Sequence, residues 1–230
     1  MAFKHGTPNS IVTDGLVFCV DAANKDSYPG SGTTATDIIS NTSTTLQSSG
    51  MFENVNAGVF SFDGGTNSID CGDNNIVKPS GAMTIEYWFK GISASVNASG
   101  IGTLGNNGSR GYLLGPNNGS IIYFFLAPSA TSLDFISYSI TIDTNKWYCL
   151  TGVYNPSTYI RMYLDGIQVT NSNTSPSSLY TGNGISLKLG SRGSGVLFSG
   201  KISNFKLYHK VLQPSEVLQN YNALKNRFRT

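Results

Sequence analysis

Hydrolysis of a polysaccharide needs two carboxyl groups held together, about 5–5.5 Å apart in a retaining enzyme and about 6.5–9.5 Å in an inverting one. A β-strand meets the shorter spacing with acids at i and i+2 or i+4 on one face. The chain has three glutamates, Glu53, Glu86 and Glu216, and none has a carboxylate two or four residues away. Its two histidines, His5 near the start and His209 at the end of a strand-like run, do not assemble with a serine and an aspartate into a nucleophilic site. Cys19, Cys71 and Cys149 are an odd number at wide spacings with no CxxC pair, which reads as three reduced, buried thiols. The sequence is therefore read as that of a protein without catalytic activity.

Binding chemistry is better supplied. Neutral sugars are held by aromatic rings against their C–H faces and by amide and hydroxyl side chains. The stretch GNNGSRGYLLGPNNGSIIYFF, residues 105–125, offers Asn106, Asn107, Arg110, Tyr112, Asn117, Asn118 and Tyr123 as candidate carbohydrate ligands, and the same residues also suit tight hairpin turns. Trp88 shares the outward face of its strand with Glu86; it is a candidate stacking platform, or the seat of a covering loop or helix. Tyr159, Arg161 and Tyr163 form a second outward set. Asp70, Asp73, Asn74 and Asn75 in IDCGDNN are hard oxygen ligands of the kind calcium prefers, although they also suit turn capping.

Composition narrows the partners. Charged residues are 12% of the 230, about half the usual share, and the net charge is +2. No stripe of lysine and arginine alternates with aromatics, so a nucleic-acid partner is excluded. No apolar leader opens the chain and no run approaches the ~18 apolar residues of a membrane span, which predicts a protein folded in a cytoplasm with no membrane partner. Residues 201–230 carry six cations against Glu216, a local +5 that leaves −3 elsewhere; this is either a solvated helix end or a docking surface for an acidic neighbour.

The elements that must position these residues are short strands bounded by Gly, Asn, Asp and Ser: 16–20, 59–62, 83–90, 121–126, 136–142, 147–154, 159–164, 185–189 and 201–208. In MTIEYWFK, Met83, Ile85, Tyr87 and Phe89 alternate with Thr84, Glu86, Trp88 and Lys90, as a half-buried strand requires. In TYIRMYLDG, Ile160, Met162 and Leu164 point inward, and Asp165-Gly166 predicts a type I′ hairpin back through Ile167 and Val169. One helix is expected, over about 214–227, with Val217, Tyr221, Leu224 and Phe228 as its apolar stripe. The pattern predicts an all-β, antiparallel two-sheet jelly-roll sandwich with one C-terminal helix: an N-terminal arm over 1–15 and a single domain over 16–230.

Four stretches carry a resemblance: FSFDGGTNSIDCG from Phe60, MTIEYWFK from Met83, KWYCLTGVYNPSTYIRMYLDGIQV from Lys146, and LKLGSRGSGVLFSGKISNFKLYHKVLQPSEV from Leu187. In that order they resemble the LamG-like jelly-roll module of the concanavalin A-like lectin/glucanase superfamily. Hydrolases of that superfamily use a Glu-x-Asp-x-Glu type of run, which this chain lacks; many LamG-like relatives bind calcium. The opening GLVFCVDAANKDSYPGSGTTATDI, Gly15 to Ile38, resembles the lead-in of LamG-like proteins of tailed phages of marine bacteria. That resemblance implies a virion surface protein, either a structural decoration contacting other virion proteins and forming homo-oligomers, or a tail adhesin that binds a host surface glycan.

Overall fold

The structure, a computed structural model, describes residues 10–93, 100–103, 111–182, 184, 186–192 and 197–228. The strands are β1 (Leu16–Asp21), β2 (Thr34–Thr36), β3 (Ser43–Leu46), β4 (Phe52–Glu53), β5 (Val59–Asp63), β6 (Ile69–Asp70), β7 (Met83–Ser93) and β8 (Ile101–Gly102). They continue with β9 (Tyr112–Asn117), β10 (Ile121–Leu126), β11 (Asp134–Ser139), β12 (Tyr148–Asn155), β13 (Tyr159–Leu164), β14 (Ile167–Ser172), β15 (Lys188–Leu189) and β16 (Phe198–Tyr208). Helix α1 (Pro214–Leu224) runs on into a 3-10 turn, Lys225–Arg227.

Every pairing is antiparallel. The first sheet runs β14-β13-β12-β7-β16-β5-β4, with β1 continuing the edge of β16 beyond β5; the second runs β11-β10-β9-β8-β15-β6-β3-β2. The expected alternation decides which residues meet between them. Ile85, Tyr87, Phe89, Leu150, Met162 and Phe205 of the first sheet pack on Ile101, Leu114, Ile122, Phe124 and Leu189 of the second, all buried. Gly152 leaves room for the facing sheet: a Cβ there would lie 2.9 Å from the Phe124 ring.

The Asp165-Gly166 hairpin forms as expected, with φ of 52° and 80° at the two turn residues. The expected run 136–142 is displaced: β11 starts at Asp134 and stops at Ser139. Beyond it the backbone N–H groups of Ile140 and Ile142 donate to Ser120 and Gly119, so this tail pairs with the β9–β10 turn instead of extending the strand.

The helix docks by its expected stripe on the outer face of the first sheet. Val217 is buried beside Tyr163 and Tyr208, while Tyr221, Leu224 and Phe228 cover Trp88 and Trp147. Gln213 and Glu216 form a capping box at its start, and Pro214 takes the first turn, where no N–H is needed. Residues 10–15 do not hang free as an arm: Gln219 donates to the Ser10 carbonyl, Tyr208 to the Val12 carbonyl, and the Val12 N–H to Asn220 Oδ1 at 2.8 Å.

Candidate functional site

The outer face of the first sheet holds the residue on which hydrolysis would have depended. Glu86 stands on β7, fully buried beneath the helix, and each carboxylate oxygen is engaged. Lys206 Nζ on β16 donates to Oε1 at 2.8 Å; Asn220 Nδ2 of the helix and Thr151 Oγ1 of β12 reach Oε2 at 3.2 and 3.4 Å. Lys206 also donates to Asn204 Oδ1, and Asn220 to the Tyr208 hydroxyl. Burial works most strongly against the Lys206 ammonium, but the charge and hydrogen bond of Glu86, with smaller contributions from Tyr208 and Cys19, together hold the pKa above the ordinary lysine range. Far from lying alone on an outer face, Glu86 is the centre of a closed polar network that ties β7, β12, β16 and the helix together. Cys19 lies close by, its thiol pushed up to about 12 by burial, and all three cysteines are free and buried.

Much of the rest of that face is covered as well. Trp88 is 2% exposed, stacked on Phe228 at 4.3 Å and Tyr221 at 5.5 Å, so its ring faces are taken by the C-terminal segment and it offers no open platform. Tyr163 is buried at the edge of the helix, and Arg161 lies over the Tyr159 ring at 3.8 Å, which closes that second outward set. Four of the six cations of the basic C-terminal region are paired with carboxylates; Lys225 is held by the Asn222 amide instead, and Arg229 lies outside the described residues. Lys201 pairs with Glu53, Lys206 with Glu86, Lys210 with Asp14 and Glu216, and Arg227 with Asp21. A +5 count in sequence therefore does not become a +5 surface.

The second sheet is different, because among the described residues no helix lies over it. Residues Tyr112, Leu114, Ile122, Phe124 and Ile136 point into the core, so their strand neighbours face outward. Register then builds the outer face in rows: Phe135, Phe125 and Leu113; Ser137, Tyr123 and Gly115; Ser139, Ile121 and Asn117. Tyr123 and Phe125 stack with centroids 4.8 Å apart, and Phe135 sets its edge to Tyr123 at 5.7 Å and lies 5.5 Å from Phe125. Phe135 is 54% exposed. Arg192 lies over the Phe125 ring at 5.6 Å. Beside Phe135 opens a cleft of about 220 Å³ lined also by Asp134, Ser172, Thr174 and Ser175. Rings beside hydroxyls, one carboxylate and a carboxamide form the pairing of apolar face and polar rim that holds a sugar.

Of the residues proposed from sequence, the structure brings Tyr123 and Asn117 onto this face, and sets exposed Asn118 with Gly119 in the adjoining turn at φ of 39° and 79°. It removes Tyr112, which points into the core with its hydroxyl donating to the Val77 carbonyl at 2.9 Å and its phenol held far above the usual range by burial. Asn106, Asn107 and Arg110 lie outside the described residues. Phe125, Phe135 and Ser137 were missed, although period-two alternation in IIYFFL already separates Tyr123 and Phe125 from Ile122 and Phe124.

The calcium candidates are held in other roles. Asp73 pairs with Lys78 and accepts from the Gly184 N–H; Asp70 lies 3.5 Å from Lys188 across the sheet and accepts from the Gly72 N–H; Asn74 caps the 3-10 turn Asn75–Val77. Among the described residues, no group of three or more His, Cys, Asp or Glu stands together as a metal site, and no helix is long and apolar enough to cross a membrane.

Comparison with known proteins agrees with this architecture. No curated protein matches the sequence. Among solved structures, the binding domain of Paraclostridial Mosquitocidal Protein 1 superposes with a TM-score of 0.72 at 16% identity, over 93% of this chain and 53% of that one. The binding domain of botulinum neurotoxin DC is similar both in complex with rat synaptotagmin II (TM-score 0.68, 17% identity, 92% of this chain and 52% of that one) and in complex with SialylT (0.65, 16%, 92% and 52%). The chain thus spans about half the length of these binding domains, and at such identities the likeness is one of fold. Residues 63–218 match the Laminin_G_3 family, and with most of its length inside that match the chain belongs to this family of the concanavalin A-like lectin/glucanases superfamily.

Proposed function

We propose that this chain is a non-catalytic, lectin-like module that recognises a neutral glycan on a host cell surface through the uncovered face of its second sheet. The observation that carries the reading is the cluster of Tyr123, Phe125 and Phe135, more than half exposed at Phe135, on a face that also carries Ser137, Ser139 and Asn117, and beside a hydroxyl-lined cleft. Exposed aromatic groupings of this kind mark binding surfaces. Tyr123 and Phe135 stack on sugar C–H faces, while Ser137, Ser172 and Thr174 exchange hydrogen bonds with hydroxyl groups. The structural likeness to binding domains, one of them seen with SialylT, supports binding rather than turnover, as does the engagement of Glu86 in a buried ion pair.

The setting we propose is a virion surface, with the chain synthesised and folded in a host cytoplasm; the phage-like lead-in of residues 15–38 supports it. On that reading the chain contacts other virion proteins and acts as a tail adhesin, or decorates a head. Immunogold labelling of particles with an antibody against this chain tests the setting. For binding itself, a glycan array and a host-cell assay on purified protein should give saturable binding that competes with one sugar. Tyr123→Ala should weaken it about tenfold through loss of ring contacts without moving the melting temperature. A well-folded sample that binds no glycan would set this function aside.

A further inference from the structure

A second cleft, on the opposite side of the molecule from the Tyr123 cluster, has different chemistry. It lies where the hairpin turn at Asp165 and the start of β12 meet the C-terminal segment, encloses about 300 Å³, and is lined by Trp88, Trp147, Tyr221 and Phe228 with Lys146, Lys225, Asp165 and Asn145 at its polar margin. Its volume is at the small end for ligand pockets, enough for one ring rather than a chain of them.

Two features point to an occupant. The indole N–H of Trp88 is buried and has no hydrogen-bond partner among the described residues, although this ring otherwise makes full use of its surroundings. A buried donor left unpaired is costly, and an acceptor atom brought by a ligand would relieve it. The margin is also cationic: Lys146 is 57% exposed and only 3.5 Å from Asp165, while Lys225 is held by an amide, Asn222, at 2.6 Å rather than by a carboxylate. Two ammonium groups against one carboxylate, above an aromatic wall, favour an anion that also has an apolar face.

We infer that this cleft binds a single acidic sugar residue, its C–H face against the aromatic lining other than Trp88, an oxygen toward the Trp88 indole N–H, and its carboxylate between Lys146 and Lys225. Asp165 and Asn145 then accept from its hydroxyls. This site is separate from the neutral-glycan face and stands or falls without it.

The chain has two tryptophans, Trp88 and Trp147, and both line the cleft, so tryptophan emission excited selectively over the twelve tyrosines reports on this place. The full chain is titrated with sodium D-glucuronate and with N-acetylneuraminate, and with D-glucose as the uncharged counterpart. The expected result is a saturable fluorescence change with at least one acidic probe, about tenfold weaker or absent with glucose. Lys225→Gln should weaken it about fivefold and Lys225→Arg should retain it, while Tyr123→Ala leaves it unchanged. No saturable response to either acid, or an equal response to glucose that Lys225→Gln does not alter, would overturn the assignment.

Discussion

The two outer faces of this sandwich are built from the same alternating strands and end in opposite states. On the first sheet, Trp88, Glu86, Lys206 and Tyr208 all point outward, and all are buried because α1 and residues 10–15 lie over them. On the second sheet, Tyr123, Phe125 and Phe135 point outward and remain in reach of solvent. Outward in a strand is therefore not the same as exposed in a fold. On the covered face Glu86, Lys206, Thr151, Asn220 and Tyr208 are tied to one another, as burial requires, with the Trp88 indole N–H the exception, whereas polar groups on the second sheet's outer face are left for water or a ligand.

The sharpest way to break that contrast is to disturb the covered face. Lys206→Met strands the Glu86 carboxylate in a buried site and should cost about 3–5 kcal/mol in denaturant unfolding. Adding Glu86→Gln should recover much of that loss, since the double variant buries no charge. Recovery would identify the ion pair as a device of specificity rather than a large source of stability; equal loss in both variants would mean that packing, not charge, governs the site.

On the bare face the expectation inverts. Phe135→Ala removes a ring that is already 54% exposed, so stability should change by under about 0.5 kcal/mol, while glycan binding falls about tenfold. A large drop in melting temperature would show that the patch is a packed edge of the fold and not a free surface.

Calcium probes the boundary of the second sheet. Asp70 and Asp73 would have to release Lys188 and Lys78 to ligate it, so the melting temperature should be equal in calcium and in chelator; a rise with calcium would show that the lysines yield.

A small effect is expected at Asp63, whose carboxylate accepts from the N–H groups of Gly65, Thr66 and Asn67. Those bonds, Asn67 foremost, hold its pKa well below the ordinary range. A depressed carboxylate stabilises the fold above its unfolded pKa and loses that contribution as pH falls through the folded value. Asp63→Asn should thus lower the melting temperature slightly at neutral pH, and the gap should close in strong acid; a gap independent of pH would remove charge from the explanation.

Much of the scaffold was legible because it depends on local rules. Alternation in MTIEYWFK assigned both faces of β7, Asp165-Gly166 marked a hairpin that forms, and the stripe Val217, Tyr221, Leu224 and Phe228 is the one that docks. The site was only half legible. Alternation says that Trp88 and Tyr123 each leave the core; of the two readings Trp88 allowed, stacking platform or seat of a covering loop or helix, the second holds, and nothing local in the sequence decides between them. Tyr112 was misplaced because its run, YLLG, is apolar on both sides and shows no period, so nothing local marks its ring as inward. The cations of residues 201–227 looked like a patch because their partners, Asp14, Asp21, Glu53 and Glu86, lie far away in sequence.

The most direct test of the central claim, that the uncovered aromatic face binds sugar, is glycan-array binding of the purified chain before and after Tyr123→Ala. The account predicts saturable binding to a neutral glycan that falls about tenfold in the variant while the fold is kept. Binding that survives Tyr123→Ala and Phe135→Ala unchanged, or no binding by the native chain, would contradict it.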